Sequence, residues 1–307
     1  MAIRLPKIPP GPWELEYPFA SHYLELGPDK VMHYLDEGEG PPVVMVHGNP
    51  SWSFMFRRLV KGLEGYRRLA PDHLGMGLST RPRDGYGFRL ADRVGDFSAW
   101  IESLGLEEPV HLVLHDWGGP IALGWAGAHP DRVASVTAMN TGLRRPENFK
   151  IPARLGLFRK APALRNLLAV HLNLFAAGVV RHCSVRPFSP AAADGFLAPY
   201  RSPAHREALA RFVADIPLGE GHPTRAFLAG IDRDFASLAG KPFLLPWGMR
   251  DFVFSPLFYD DLRARLPGAR LLPLFRSGHC LLEDEPEAVG EAVRTFLDEH
   301  SGRAAGG

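Results

Sequence analysis

The 307-residue chain has only two cysteines, Cys183 and Cys280, and neither stands in a Cys-x-x-Cys or Cys/His spacing. That excludes a disulfide framework and a thiolate-held metal, and the expected setting is a reducing one, the cytoplasm. An excess of one charge is lacking too, since 35 Lys and Arg face 34 Asp and Glu for a formal +1. So even a balance excludes the basic footprint of phosphate-backbone binding, and nucleic acid is not an expected partner. No run reaches the ~18 apolar residues of a membrane span. Prolines interrupt the N-terminal MAIRLPKIPPGPWELEYPF where a secretory signal would be continuously apolar. Repeats, low-complexity segments, Gly-rich phosphate cradles and metal-ligand clusters are also missing, so neither metal nor cofactor is expected.

What the chain does have is 46% hydrophobic residues, enough to offset chain entropy, and 29 prolines with 32 glycines spread along its length. Turns between many short elements are implied. From Tyr17 to Asn140, short apolar runs alternate with helical patterns, which predicts an α/β fold with a mostly parallel sheet. Strands are expected at Val43–Val46, Arg68–Ala70, Val110–Leu114 and Val133–Met139, with helices at Leu90–Leu104 and Gly118–Ala128. From Thr141 to Gly240 the periodicity is mainly helical, notably over Leu164–Val180 and Ala204–Ala214. Alternation resumes with a strand at Phe243–Trp247, a helix at Pro256–Leu266, a strand at Arg270–Phe275 and a closing helix over Glu285–His300. The expected organisation is a first core part over 1–140, a helical cap over 141–240, a second core part over 241–300 and a disordered tail over 301–307. Ligands of such a fold sit between sheet edge and cap.

Leu-His-Asp-Trp-Gly-Gly, residues 114–119, lies between a strand and a helix. In that context a sharp turn presents a nucleophile, here Asp116. Leu114 stands where the general pattern has Gly, and an Asp at such a junction is often only a helix cap. Its companions raise the reading. His279, in Arg276-Ser277-Gly278-His279, follows one strand and precedes the last helix, and Asp251 follows the strand Phe243–Trp247. The chain order nucleophile, acid, histidine is the one this fold requires. Alone, one of thirteen histidines is usually a solvated loop residue, and Asp251 is as readily a turn cap. His47-Gly48-Asn49-Pro50 sits where a second anion-stabilising N–H arises, from Asn49, beside that of Trp117. A carboxylate attacking an sp3 carbon gives an ester that activated water can cleave, whereas a serine would give an inert ether. Asp116 therefore points to alkyl transfer.

With these residues in place, the sequence resembles the haloalkane dehalogenases and the closely related β-lactone decarboxylases of bacterial olefin biosynthesis. The resemblance covers nearly the whole chain and rests on HGNPSWSF, PDHLGMGLS, HDWGGPIALGWA, WGMRDFVF and GHCLLED. It implies an α/β-hydrolase fold with a helical cap, and an Asp-His-Asp set of Asp116 as nucleophile, His279 as base and Asp251 as acid. Asn49 and Trp117 are implied as leaving-group donors. Asn140 stands where one dehalogenase branch keeps a Glu, and its amide cannot serve as that acid.

The implied activity is of haloalkane dehalogenase type, with β-lactone decarboxylation as the alternative reading on the same residues. Epoxide hydrolases use two cap tyrosines, and the helical region has only Tyr200. Its apolar stripe of Leu167, Leu168, Leu172, Leu174 and Phe175 would line a long channel or pack as helix core, core packing being the commoner meaning of such a stripe. A small apolar substrate is expected. A non-catalytic binding module on the same fold is the reading from another class, and the complete residue set argues against it. The balanced composition singles out no docking surface, and a homo-oligomer or a pathway-enzyme assembly is compatible with it.

Overall fold

Short apolar runs bounded by proline and glycine are too brief for helices, and laterally paired they form one eight-stranded sheet. The computed structural model describes residues 5–82, 85–150, 156, 161–218 and 221–302. The strands are β1 (His22–Gly27), β2 (Lys30–Glu37), β3 (Pro42–Val46), β4 (Arg67–Pro71), β5 (Val110–His115), β6 (Val133–Met139), β7 (Phe243–Gly248) and β8 (Arg270–Leu274). Their order is β1-β2-β4-β3-β5-β6-β7-β8. The first hairpin and the β2–β4 pair are antiparallel, and every other pair is parallel.

The helices used below are α1 (Arg57–Gly62), α2 (Leu90–Ser103), α3 (Gly118–Ala126), α4 (Pro162–His171), α5 (Leu174–His182), α6 (Pro190–Leu197), α7 (Glu207–Ala214), α8 (Pro223–Asp234), α9 (Pro256–Arg265) and α10 (Pro286–His300). Strand side chains alternate between two cores, as a period of two requires. Val44, Val46, Leu112, Leu114 and Trp247 face one core with α2, α3, α8 and α9, whereas Val43, Met45, Val113 and Leu244 face the other with α1 and α10. Covered on both faces, β3, β5 and β7 are wholly buried, which is why they read as continuous apolar runs. The register pairs Val46 with Leu114 and His115 with Met139, so the carboxyl ends of β3, β5 and β6 lie side by side.

The segment between β6 and β7 departs from expectation in one place. The helical run Leu164–Val180 breaks at Asn173, which takes φ 55°, and α4 and α5 meet at 71°. Asparagine tolerates the left-handed region because its short polar side chain bonds locally, so a Leu-Asn-Leu step there can end one helix and start another. Of the apolar stripe, Phe175 packs against the core and Leu168 is half-buried, but the other three leucines face outward. Leu167, Leu172 and Leu174 are 48%, 54% and 53% exposed, and the buried residues are the small Ala169 and Ala176. Elsewhere the corrections are slight. The helix expected to Ala128 ends at Ala126, and the last strand stops at Leu274, leaving Phe275 exposed. The tail expected over 301–307 lies outside the described residues from 303 onward.

Candidate active site

Asp116 follows β5 directly and has φ 54°, a left-handed turn that a non-glycine residue adopts at a cost of about 1–2 kcal/mol. The turn holds because its neighbours have no side chain. A Cβ on Gly118 would lie 1.9 Å from the Val46 carbonyl oxygen, and one on Gly48 would lie 2.0 Å from Asp116 Oδ1. The Asp116 amide donates to Asn140 O at 3.2 Å, and the Thr141 hydroxyl donates to Asp116 O at 2.6 Å. Leu114, the departure from the general elbow pattern, is fully buried in the α3-side core, where an apolar side chain is wanted.

The carboxylate this turn presents is 4% exposed and accepts the Asn49 backbone N–H at 2.8 Å. Burial raises the Asp116 pKa; the His279 charge and the N–H groups of Trp117 and Asn49 oppose the rise, and Asp251 adds to it. His279 Nε2 lies 3.6 Å from Asp116 Oδ2, and its Nδ1 is 2.8 Å from Asp251 Oδ2. Burial pushes the His279 imidazole down, yet the Asp251 charge and hydrogen bond, joined by Asp116, hold it above its ordinary value. Sequence-distant Asp116, Asp251 and His279, with Asn49 and Trp117, are thus brought to one sheet edge. The Trp117 ring faces Phe212, centroids 5.8 Å apart, and Phe254 stacks on His279 at 6.1 Å, so the surroundings are apolar and aromatic.

Supporting roles that the sequence did not assign now become visible. Asn140, fully buried at φ 37°, donates from Nδ2 to Asp251 Oδ2 at 2.9 Å and to Gly248 O at 3.1 Å, and its Oδ1 accepts the Gly248 N–H at 2.8 Å. It holds Asp251 rather than replacing it. His115 Nε2 lies 2.8 Å from the His279 carbonyl and, its Nδ1 having no partner, carries the proton it donates there. Burial keeps this imidazole neutral, well below its ordinary pKa. The His73 amide donates to His47 Nε2 at 3.1 Å, which leaves Nδ1–H of His47 to donate to Gly48 O at 2.8 Å, so the Asn49 loop is pinned from behind.

The segment between β6 and β7 is fastened over these loops. Asn49 Nδ2 donates to Leu209 O at 3.2 Å, Tyr200 OH to Ser51 O at 3.2 Å, and Trp52 Nε1 to Gly195 O at 2.9 Å. On the other side Asp284, fully buried, accepts the Val185 amide at 2.8 Å, the Arg186 amide at 2.7 Å and the Gly278 amide at 2.7 Å. The Cys280 amide donates to Cys183 O at 2.9 Å. Asp284, the last residue of GHCLLED, left a trace in the sequence as part of that motif.

Comparison with known proteins agrees with this geometry. A family model described as the α/β-hydrolase fold matches residues 41–286. The chain belongs to the α/β-hydrolase family. Within it, this enzyme is 37% identical over 287 residues to a cis-3-alkyl-4-alkyloxetan-2-one decarboxylase of Shewanella oneidensis, covering 92% of this chain and 89% of the relative. It is 33% identical over 283 residues to haloalkane dehalogenase 2 of Mycobacterium bovis, covering 90% and 94%. A crystal structure of an ancestral haloalkane dehalogenase superposes with a TM-score of 0.81 at 29% identity, covering 92% of this chain and 100% of that one. The enzyme's relatives are thus β-lactone decarboxylases and haloalkane dehalogenases alike.

Proposed function

We propose that the enzyme uses Asp116 as a carboxylate nucleophile at an sp3 carbon, and that its substrate is a cis-3,4-dialkyl β-lactone. The observation that carries the chemistry is the buried Asp116 carboxylate, held by the Asn49 N–H at 2.8 Å and facing His279. The substrate class rests on the similarity to the Shewanella oneidensis decarboxylase, at 37% identity. Residues 141–240 act as the cap over the site, and the protein works in the cytoplasm.

Asp116 attacks C4 of the four-membered ring, and the C4–O bond breaks. The enzyme is then joined to C4 as an ester and the former lactone carboxyl is a free carboxylate on C3. His279, held as a cation by Asp251, stabilises that negative charge. The C3–carboxylate bond then breaks and its electron pair forms the C3–C4 double bond. The ester oxygen leaves with its own pair, regenerating the Asp116 carboxylate and releasing CO2 and an alkene. Attack inverts C4 and an anti elimination follows, so the cis relation of the alkyl groups is kept. No water enters, and His279 contributes charge rather than base catalysis.

The second reading, favoured by the likeness to the ancestral dehalogenase structure, is hydrolysis of a haloalkane. There Asp116 displaces halide toward the Asn49 and Trp117 donors, and neutral His279 takes a proton from the water that cleaves the ester. One Asn49 amide N–H is already given to Leu209 O, leaving the other for the halide. Epoxide opening has little support, since the Tyr200 phenol that would protonate the ring is buried and donates to Ser51 O. Incubation with a cis-dialkyl β-lactone and a 1-bromoalkane in parallel, scoring alkene by gas chromatography and bromide by ion chromatography, tests both. Alkene without bromide is expected; bromide without alkene establishes the second reading, and neither product rejects both.

A further inference from the structure

The chain's overall balance of charge conceals a segment of one sign. Residues 148–193 contain seven Lys and Arg and no Asp or Glu, so the remainder carries −6 against the chain's formal +1. The described part of this segment contains the α4–α5 bend, where Leu167, Leu172 and Leu174 are about half exposed, followed by Val185 at 41%. Among these leucines and after them stand the exposed His171, Arg181, His182 and Arg186. Asp284, which accepts the Val185 and Arg186 amides, is fully buried and shows no charge to solvent.

We propose that this face of the α4–α5 bend docks on an anionic lipid surface. Exposed leucines on a bent helical pair flanked by cations are the composition of an element lying in the headgroup region of a bilayer. Neither arm is long enough to cross the bilayer by itself. Each arm is about 14 Å long at 1.5 Å per residue, about half the hydrocarbon thickness, and the two diverge at 71°. Charge argues for lipid over a protein partner, because a protein rim is polar and mixed in sign, whereas residues 148–193 hold cations and no acid, and the acids on the helices packed against the bend, Glu207 and Asp194, are paired with Arg211 and Arg201. Fastening is firm, since the Asp284 clamp and the Cys280–Cys183 hydrogen bond tie the end of α5 to the loop of His279. A docked bend therefore sets the site at a fixed distance from the membrane, where apolar molecules are stored. The inference does not depend on which substrate reading holds.

The test is sedimentation of the full chain with vesicles of equal parts phosphatidylglycerol and phosphatidylcholine, against vesicles of phosphatidylcholine alone. Binding to the anionic vesicles is expected, weakening as salt is raised. Arg181→Ala with Arg186→Ala should lower the partition coefficient about 25-fold, at about fivefold per cation near the surface. Leu172→Asp with Leu174→Asp should lower it by at least about tenfold. An unchanged thermal midpoint for both variants shows that folding is not the cause. Equal sedimentation with both vesicle types, none with either, or full binding by both variants overturns the proposal. So does a vesicle-independent dimer in light scattering that the leucine variant abolishes, which would make the face a subunit contact.

Discussion

Replacing Asn140 with alanine perturbs the acid of the site without touching substrate. The amide makes three hydrogen bonds, to Asp251 Oδ2 at 2.9 Å and to both backbone groups of Gly248 at 3.1 and 2.8 Å. Gly248 O keeps the Asp251 amide as a partner at 3.1 Å, but the Gly248 N–H is left buried and unpaired, which costs about 1–3 kcal/mol. Losing the bond to the Asp251 carboxylate costs about 1.5–3 kcal/mol more, and alanine at φ 37° adds about 1 kcal/mol. Non-additivity trims the sum, so a loss of about 4 kcal/mol is expected. For a domain of this size that lowers the melting midpoint by about 10 °C, read by differential scanning calorimetry. Asp251 keeps the Val253 amide on Oδ1 at 2.6 Å, so it is loosened rather than lost, and kcat should fall about tenfold with KM little changed. A midpoint within about 2 °C of the parent together with an unchanged kcat would refute the assignment of Asn140 as the residue that positions Asp251.

Asp251→Asn removes the charge that holds His279 up, so the histidine-dependent limb of the pH–rate profile should move to lower pH while kcat drops by about 10³-fold or more. A limb that stays in place contradicts the pairing. Gly118→Ala would put a Cβ 1.9 Å from the Val46 carbonyl, forcing the elbow open; soluble protein with near-parent activity would speak against the strained turn. Burial holds His47 down at about 4 from an ordinary 6.5 and keeps His73 and His115 low as well. The unfolded chain therefore takes up protons first as pH falls. Stability is full above about 6.5 and is lost towards 4, by roughly 3 kcal/mol for His47 alone, and urea midpoints measured across that window check the sign. Asp284→Ala should expose the 183–186 segment to proteolysis, because three backbone amides lose their acceptor at once.

The sheet was legible because β3, β5 and β7 are covered on both faces and so appear as unbroken apolar runs. Asp116, Asp251 and His279 were legible for a different reason, since chain order and position after a strand already place them at one sheet edge. The holding residues were not. Asn140 bonds to residues more than a hundred positions away, and nothing in its neighbourhood signals an amide that will clasp Gly248 and Asp251. His115 bonds only to a main-chain carbonyl 164 positions on, which no side-chain motif records. At Asn173 helical periodicity continues through the break, because a left-handed residue changes the direction of the chain without changing which side chains are apolar. The leucine stripe showed its amphipathic character in the sequence but not which side of it faces water.

The central claim is that an oxygen of Asp116 becomes bonded to substrate carbon. His279→Gln removes the base that would activate water, so an ester formed by displacement of halide should persist long enough to isolate; with the lactone, whose collapse needs no base, quenching in acid within the first turnover protonates the released carboxylate and halts loss of CO2. This variant, exposed in parallel to a cis-dialkyl β-lactone and a 1-bromoalkane, would be digested and the peptide carrying Asp116 weighed and sequenced by mass spectrometry. The account predicts added mass, equal to the lactone or to the alkyl group, localised to Asp116 with at least one of the two substrates. An unmodified Asp116 peptide with both, under conditions in which the parent enzyme turns one of them over, would contradict it.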